Sequence, residues 1–147
     1  MKRFAHMASL RVWLHVLVVR PALRLLFGVS AVGGANLSGL KQFILIANHK
    51  SHLDVLMLFS VLPLEHIAHT HPVAAKEYFA RWKPIFWLVD LVLRPIWIVR
   101  GEKTDDPLKE MKERLKAGCS IIIFPEGTRG SPGQIQRFKT GVGRLAV

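Results

Sequence analysis

The segment from Asn48 to Asp54 contains the residue types that a general base requires. It reads Asn-His-Lys-Ser-His-Leu-Asp, so His49 precedes Asp54 by five positions. An apolar run over residues 42–47 comes before it and another over 55–59 follows, which predicts a turn between a strand and a helix. On one continuous helix the two side chains would lie on different faces, but a bend in a turn can bring imidazole and carboxylate together. A histidine held by a carboxylate can act as a general base.

The same segment also fits a purely structural role. Ser51 and Asp54 have the [ST]-x-x-[DE] spacing with which a helix satisfies the free N–H groups of its first turn. The plain alternative is that Asp54 only caps this helix and that His49 is an ordinary loop histidine. The rest of the chain has to decide between these interpretations.

The composition indicates one basic domain that associates with membranes. A chain of 147 residues is long enough for a single core. Half of its residues are hydrophobic and its mean hydropathy is +0.27. Its net charge of +11 predicts anionic partners, namely acidic lipid headgroups, phosphorylated substrates or an acidic carrier protein. Nucleic acid is not expected as a partner, because the sequence has no zinc-finger spacing, RNP-type pattern or basic recognition helix.

Residues 1–40 are predicted to form an N-terminal membrane-binding helical segment. Its uncharged window, Val12 to Val19, is too short for a transmembrane helix, which needs about 20 apolar residues. Arg20 and Arg24 share a helical face and Trp13 suits the depth of the headgroups, so we expect helices within the interface of an acidic leaflet, on the cytoplasmic face of the cell membrane. The alternatives are a secretory signal, which the two arginines disfavour, and a soluble helix that packs its apolar face on the domain.

Five histidines fall within 23 residues, between His49 and His71, so a metal site has to be considered. In an extended segment His69 and His71 would point to one face and His66 to the other. This arrangement does not resemble the zinc sites that histidines commonly form, and we expect no metal site.

The second half of the chain predicts a mostly parallel sheet flanked by helices. Residues 76–93 have the pattern of a helix interrupted near Pro84, and residues 108–117 that of a second helix. The apolar runs over 96–100 and 120–124 lie on either side of this second helix and are predicted to be strands. Strand, helix and strand in this order favour a parallel arrangement and therefore the α/β class.

Polar side chains follow three of the predicted strands. His49 follows the first, Arg100 closes the second, and Glu126 and Arg129 follow the third. Parallel strands present their carboxyl ends at one edge of a sheet, where ligands bind. If the three strands are neighbours, one crevice contains a histidine, a glutamate and two arginines, and paired arginines are typical of phosphate binding.

Taken together, four motifs resemble those of the glycerolipid acyltransferases, typified by the 1-acyl-glycerol-3-phosphate acyltransferases. The segment Asn48 to Asp54 matches the family block N-H-x-S-x-x-D, and the strand ending in Arg100 matches the second block. The third block, F-P-E-G-T-R, occurs letter for letter from Phe124 to Arg129, and residues 138–141 match F-K-x-G. The resemblance covers roughly residues 41–147, which we expect to be the acyltransferase domain. The family's fourth block is not found, so we expect the domain to be C-terminally incomplete.

The resemblance implies an O-acyltransferase that moves a fatty acyl group from a thioester to the free hydroxyl of a lysophospholipid. The expected acceptor is 1-acyl-glycerol-3-phosphate, which would give phosphatidate, and another lysolipid such as a lyso-aminolipid is the alternative. The thioester, on coenzyme A or on acyl carrier protein, is a co-substrate, and neither a cofactor nor a metal is expected.

The resemblance also implies roles for particular residues. His49 would take the proton of the acceptor hydroxyl, and Asp54 would hold the imidazole. The residues expected to bind the acceptor are Arg100, Glu126, Gly127, Thr128, Arg129 and Lys139. The alternative from a different functional class is a non-catalytic or truncated relative that binds lipid at the membrane surface.

Overall fold

Four parallel strands form the centre of the molecule. A computed structural model describes residues 10–99, 106, 108–130 and 134–146. The strands β1 (Ile44–Ile46), β2 (Thr70–Ala75), β3 (Ile96–Ile98) and β4 (Ser120–Ile123) lie in the order β1-β4-β2-β3. Every pair of neighbours is parallel. The predicted α/β class with a parallel sheet is therefore confirmed.

The position of β2 corrects one prediction. Residues 70–72 of this strand pair with β4, and residues 73–75 pair with β3. The condition under which a single crevice was predicted, that the three strands are neighbours, is therefore met for β1 and β4 but not for the strand before Arg100, because β2 lies between it and β4. Arg100 itself lies outside the described residues.

The helices connect the strands and cover the sheet. They are α1 (residues 10–27), α2 (Asp54–Val61), α3 (Leu64–Ile67), α4 (Lys76–Phe79), α5 (Lys83–Leu93), α6 (Lys109–Lys116) and α7 (Gly143–Ala146). Short 3₁₀ turns lie at Gly34–Asn36 and Thr140–Val142. The break between α4 and α5 falls just before Pro84, which confirms the predicted interruption.

The histidines of the second quarter of the chain do not form the extended segment considered from the sequence. His66 lies on α3, buried, with Nε2 3.0 Å from the carbonyl oxygen of Leu37. His71 is buried on β2, with Nδ1 2.8 Å from the carbonyl oxygen of Arg94, whereas His69 is exposed. No three His, Cys, Asp or Glu side chains in the described part of the chain are placed to hold a metal ion.

Apolar clusters lie on both faces of the sheet. Ile121 and Ile122 are successive residues of β4 and therefore point to opposite faces. Ile122 packs with residues of α2, α3 and α5, whereas Ile121 packs with residues around α6 and α7. Both isoleucines are fully buried, and burying a side chain of this size contributes about 1.5–3 kcal/mol. The loop after β4 therefore follows a strand that is packed on both faces of the sheet.

The helix α1 directs polar side chains toward the domain. Arg11 is fully buried and donates from Nε to the carbonyl oxygen of Val92, at 3.1 Å, and from Nη2 to that of Thr70, at 2.6 Å. His15 is also fully buried, with Nε2 3.0 Å from the carbonyl oxygen of Val92 and its ring stacked on Phe59. These contacts add to the apolar packing that a surface helix ordinarily makes with its domain, which Leu23 and Val12 provide here.

Large apolar side chains of α1 face away from the domain. Leu25 is 85% exposed and Leu26 73% exposed, and Trp13, Leu17 and Phe27 are also exposed. Leu23 and Val12 of the same helix do pack on the domain, so its apolar side chains are divided between the two sides. Within the described residues, no helix combines the length and hydropathy needed to cross a bilayer.

Candidate active site

The turn between β1 and α2 brings His49 and Asp54 together. The chain leaves β1 at Ile46 and enters α2 at Asp54, so Asp54 occupies the first turn of that helix, as predicted. Nδ1 of His49 lies 3.0 Å from Oδ2 of Asp54, and each side chain is 21% exposed. The bend thus produces the contact between imidazole and carboxylate that a continuous helix would prevent. With Nδ1 facing the carboxylate, Nε2 is the nitrogen that can take a proton.

Asp54 also fixes the main chain of the turn. Its Oδ2 accepts the N–H groups of Lys50, at 2.6 Å, and of Ser51, at 2.8 Å. Burial raises the pKa of this carboxyl. The N–H groups of Ser51 and Lys50 and the His49 ring together lower the pKa by more than burial raises it, so it lies below its ordinary value. Only half of the predicted capping box forms, because Ser51 Oγ accepts the N–H of Leu53 instead of that of Asp54.

The loop after β4 holds His49 from the other side. β1 and β4 are neighbours, so the two loops that follow these strands meet at the carboxyl edge of the sheet. The ring of Phe124 stacks on the His49 ring, with 4.2 Å between centroids and 23° between planes. The N–H of Gly130 donates to the carbonyl oxygen of His49 at 3.0 Å. The imidazole is therefore held between an aromatic face and a carboxylate.

Glu126 is buried within the same loop. Its side chain is 4% exposed, Oε1 accepts the N–H of His49 at 3.0 Å, and Oε2 accepts the N–H of Gln136 at 3.1 Å. These two bonds lower the pKa of the carboxyl, which opposes the smaller effect of burial. The structure thus places Glu126 beside His49, but with both oxygens bound to main-chain N–H groups.

Arg129 lies at the exposed rim of the site. Its Nη1 contacts Nε2 of His52, and its Nη2 donates to the hydroxyl of Tyr78 at 3.4 Å. The guanidinium also lies over the Tyr78 ring, 5.4 Å from its centroid. Burial and the nearby Arg129 lower the pKa of His52, which favours the neutral imidazole that can accept a hydrogen bond. The cationic group is thereby oriented by two side chains from other elements.

The remaining predicted ligands surround the turn at Gly127. This residue has φ +71°, a conformation that favours glycine, and a Cβ there would lie 2.7 Å from Nζ of Lys139. Thr128 Oγ1 donates to Oε1 of Gln136 at 3.0 Å. Gly127, Thr128, Arg129 and Lys139 are thus brought together on one side of the site, and Arg100 lies outside the described residues.

His49 lines a wide, open groove of about 2580 Å³. Close to the histidine, the groove is bordered by Gly127, Thr128 and Arg129. Apolar side chains of α1, α2 and α5 also line it, including Leu14, Val18, Leu56, Leu88 and Val89, as do charged side chains around α6, including Asp106, Lys109 and Glu113. The groove therefore has both polar and apolar walls.

Sequence reasoning missed three contributors to this site, namely Phe124, Tyr78 and Gln136. Phe124 lies inside a motif that was recognised, but nothing in its spacing shows that it stacks on His49. Tyr78 and Gln136 belong to segments with no motif of their own, and they reach the site only through the folding of the chain.

Comparison with known proteins shows the family to which this chain is similar. The family model described as Acyltransferase matches residues 29–147. The 1-acyl-sn-glycerol-3-phosphate acyltransferase alpha of Ovis aries is 32% identical over 111 residues, covering 73% of this chain and 36% of that protein. The 1-acyl-sn-glycerol-3-phosphate acyltransferase of Limnanthes alba is 31% identical over 111 residues, covering 73% and 37%. That of Cocos nucifera is 31% identical over 107 residues, covering 71% and 33%.

The chain spans about a third of the length of the curated relatives it matches. The matched region includes the turn that carries His49 and Asp54 and the loop from Phe124 to Arg129. The chain therefore belongs to the acyltransferase family.

Proposed function

We propose that this protein transfers a fatty acyl group from a thioester to the free hydroxyl of 1-acyl-glycerol-3-phosphate, giving phosphatidate. The observation that carries the proposal is the contact between Nδ1 of His49 and Oδ2 of Asp54, 3.0 Å apart, in the wall of the groove. The names of its relatives support the choice of acceptor, because the family alone does not specify which lysolipid is used.

His49 and Asp54 act as a general base pair in this reaction. Nε2 of His49 takes the proton of the acceptor hydroxyl as its oxygen attacks the thioester carbonyl carbon. The carbon–sulfur bond then breaks, and the departing thiolate takes the proton from His49, so a free thiol and a new ester are formed. Asp54 stays ionised, keeps Nδ1 protonated and stabilises the imidazolium. General base catalysis of this kind supplies about 10²–10⁴-fold of the rate.

The acceptor phosphate binds at the rim of the groove. Arg129 supplies an oriented guanidinium, Lys139 lies against the Gly127 turn, and Thr128 borders the same part of the groove. Arg100, which lies outside the described residues, is the second arginine that the sequence predicts to bind the phosphate. The apolar wall formed by α1, α2 and α5 suits the acyl chains. The donor thioester is carried by coenzyme A or by acyl carrier protein, and no further cofactor takes part.

The protein works at the surface of a membrane, on the cytoplasmic leaflet. Leu25 and Leu26 on α1 are exposed, as are Trp82 and Trp87 at the start of α5 and within it. Burying these side chains among lipid headgroups and acyl chains removes them from water, and the net charge of +11 attracts anionic lipids. Exposed apolar side chains of this size are typical of surfaces that contact a membrane or another protein.

The reaction is tested by incubating the protein on anionic vesicles with 1-acyl-glycerol-3-phosphate and a labelled acyl thioester. Acyl-coenzyme A and acyl carrier protein are supplied in separate reactions, which identifies the donor. We expect label in phosphatidate with the wild type, loss of transfer with His49→Ala, and normal transfer with His69→Ala, which removes an exposed histidine away from the site. Transfer that survives His49→Ala contradicts the mechanism. Lipid binding without transfer by the wild type favours the non-catalytic alternative.

The membrane surface is tested separately by sedimentation with anionic vesicles. Leu25→Asp is expected to reduce the bound fraction, because it places a charge on the exposed face of α1. Leu64→Asp is the matched control, since Leu64 is half-exposed on α3. Equal binding of the two variants would contradict the assignment of α1 as the membrane contact.

A further inference from the structure

Glu126 is placed to act on the main chain of His49. It is the only residue of the loop from Pro125 to Arg129 that does not line the groove, judged over the described residues. Its two carboxylate oxygens instead accept main-chain N–H groups, one from His49 and one from Gln136. A residue that binds the acceptor substrate would be expected to face the groove, so the geometry favours a different role for Glu126.

The bond from Glu126 completes a set of contacts that fixes the position of His49. The N–H of His49 donates to Glu126 and its carbonyl oxygen accepts from Gly130, so both of its main-chain polar groups are bound to the loop after β4. Its ring is held by Asp54 and Phe124. Each of these contacts constrains a different part of His49. The bond to Glu126 joins the loop after β1 to the loop after β4 at the main-chain N–H of His49.

The charge of Glu126 strengthens this contact. The groups that face its carboxylate are the N–H groups of His49 and Gln136 and, through space, the Lys50 ammonium and the His49 ring. Hydrogen bonds to an ionised acceptor are roughly twice as strong as those between neutral groups. A neutral glutamine could accept one of the two N–H groups with its oxygen, but its NH₂ would then face the other donor.

We propose that Glu126 is a positioning residue that holds the main chain of His49, and through Gln136 connects the base to the segment 134–139. This inference rests on the proposed function, in which His49 is the general base. It replaces the acceptor contact predicted for Glu126 from the sequence.

Glu126→Gln separates the two roles by kinetics, with Glu65→Gln as the matched control because Glu65 is exposed on α3. We expect Glu126→Gln to lower kcat by about 10- to 100-fold, since a displacement of about 1 Å in a catalytic group can cost about 10²-fold. The KM for 1-acyl-glycerol-3-phosphate is expected to stay within about twofold. A rise in that KM with unchanged kcat would assign Glu126 to the acceptor and overturn the proposal, as would kinetics equal to those of Glu65→Gln.

A measurement without substrate tests the contact itself. In the wild type, the amide proton shifts of His49 and Gln136 should titrate together, with a midpoint below the ordinary range of a glutamate. Glu126→Gln should abolish this shared titration and move the imidazole signals of His49, while Glu65→Gln leaves both unchanged. Amide shifts that titrate separately, or not at all, overturn the proposal.

The two experiments also distinguish failure of this proposal from failure of the proposed function. If the wild type shows the shared titration but transfers no acyl group, the Glu126 contact is supported and the proposed acyltransferase function is contradicted. If circular dichroism shows that Glu126→Gln does not fold, the titration of the wild type still tests the proposal. Glu126→Asp, whose shorter carboxylate can reach one N–H group but not both, should then give an intermediate kcat, and wild-type kcat in this variant would overturn the proposal.

Discussion

Replacing Asp54 by asparagine separates the geometry of the site from its charge. The N–H groups of Lys50 and Ser51 and Nδ1 of His49 all converge on Oδ2 of Asp54. An asparagine whose carbonyl oxygen occupies that position can accept the same bonds. The variant is therefore expected to keep the turn and the orientation of the imidazole, and to lose only the negative charge opposite the imidazolium that the proposed mechanism forms.

The magnitude of this loss follows from the distance between the charges. Two unit charges about 4 Å apart interact by about 4 kcal/mol at the effective dielectric constant of about 20 that suits partly buried groups. Both side chains are 21% exposed, so solvent screens part of this interaction. We expect about 2–3 kcal/mol of lost transition-state stabilisation, which corresponds to a kcat about 30- to 150-fold lower.

Steady-state transfer of a labelled acyl group to 1-acyl-glycerol-3-phosphate measures this effect. Asp106→Asn is the matched control, because Asp106 also accepts a main-chain N–H near the start of a helix and pairs with a cation, Lys112. A kcat for Asp54→Asn within about threefold of the wild type would refute the reasoning. It would show that Asp54 serves the turn alone and that its charge does not assist His49.

Three further predictions concern stability and acceptor binding. Burial lowers the pKa of His15 and of His71 to about 4, below the ordinary value of 6.5 that applies in the unfolded chain. The contribution of the two neutral histidines to the free energy of unfolding is therefore complete above pH 6.5 and is lost as the pH falls toward 4. Urea unfolding at pH 7 and pH 5 should differ by about 1–2 kcal/mol for each histidine, and His15→Gln should reduce the difference. Gly127→Ala should destabilise by about 1–2 kcal/mol in the same assay, because φ is +71° and the new methyl displaces Lys139; unchanged stability would contradict this. Arg129→Ala should raise the acceptor KM by about 10- to 100-fold with a smaller effect on kcat, since a hydrogen bond to a charged group contributes about 1.5–3 kcal/mol; an unchanged KM would place the phosphate elsewhere.

The sheet could be predicted only in part from the sequence. β1 and β4 are short apolar runs rich in isoleucine, and their pattern indicates buried parallel strands. β2 has no such pattern, because it contains His71 and Pro72, and proline has no N–H for a sheet hydrogen bond. Its place between β4 and β3 is determined by tertiary packing, which no local signal in the chain records.

The candidate site was predictable where it depends on one turn and unpredictable where separate loops meet. The contact of His49 with Asp54 follows from a bend within seven residues. The contacts of His49 with Phe124 and Glu126 depend on the strand order, which brings together positions more than 70 residues apart. The bonds from the main-chain N–H groups of His49 and Gln136 to Glu126 are also of this second kind, and the motif alone does not predict them.

The edge position of β1 has a consequence for local unfolding. Within the described residues, this three-residue strand pairs with β4 alone, whereas β4 and β2 are paired on both sides. Strands with few partners open at a lower free energy than the centre of a sheet, without unfolding of the whole domain. The strand that delivers His49 is thus among the first elements expected to detach, and hydrogen exchange should be faster at Leu45 than at Ile122. The proposed general base would be lost while most of the domain remains folded, so inactivation by heat should precede the global transition.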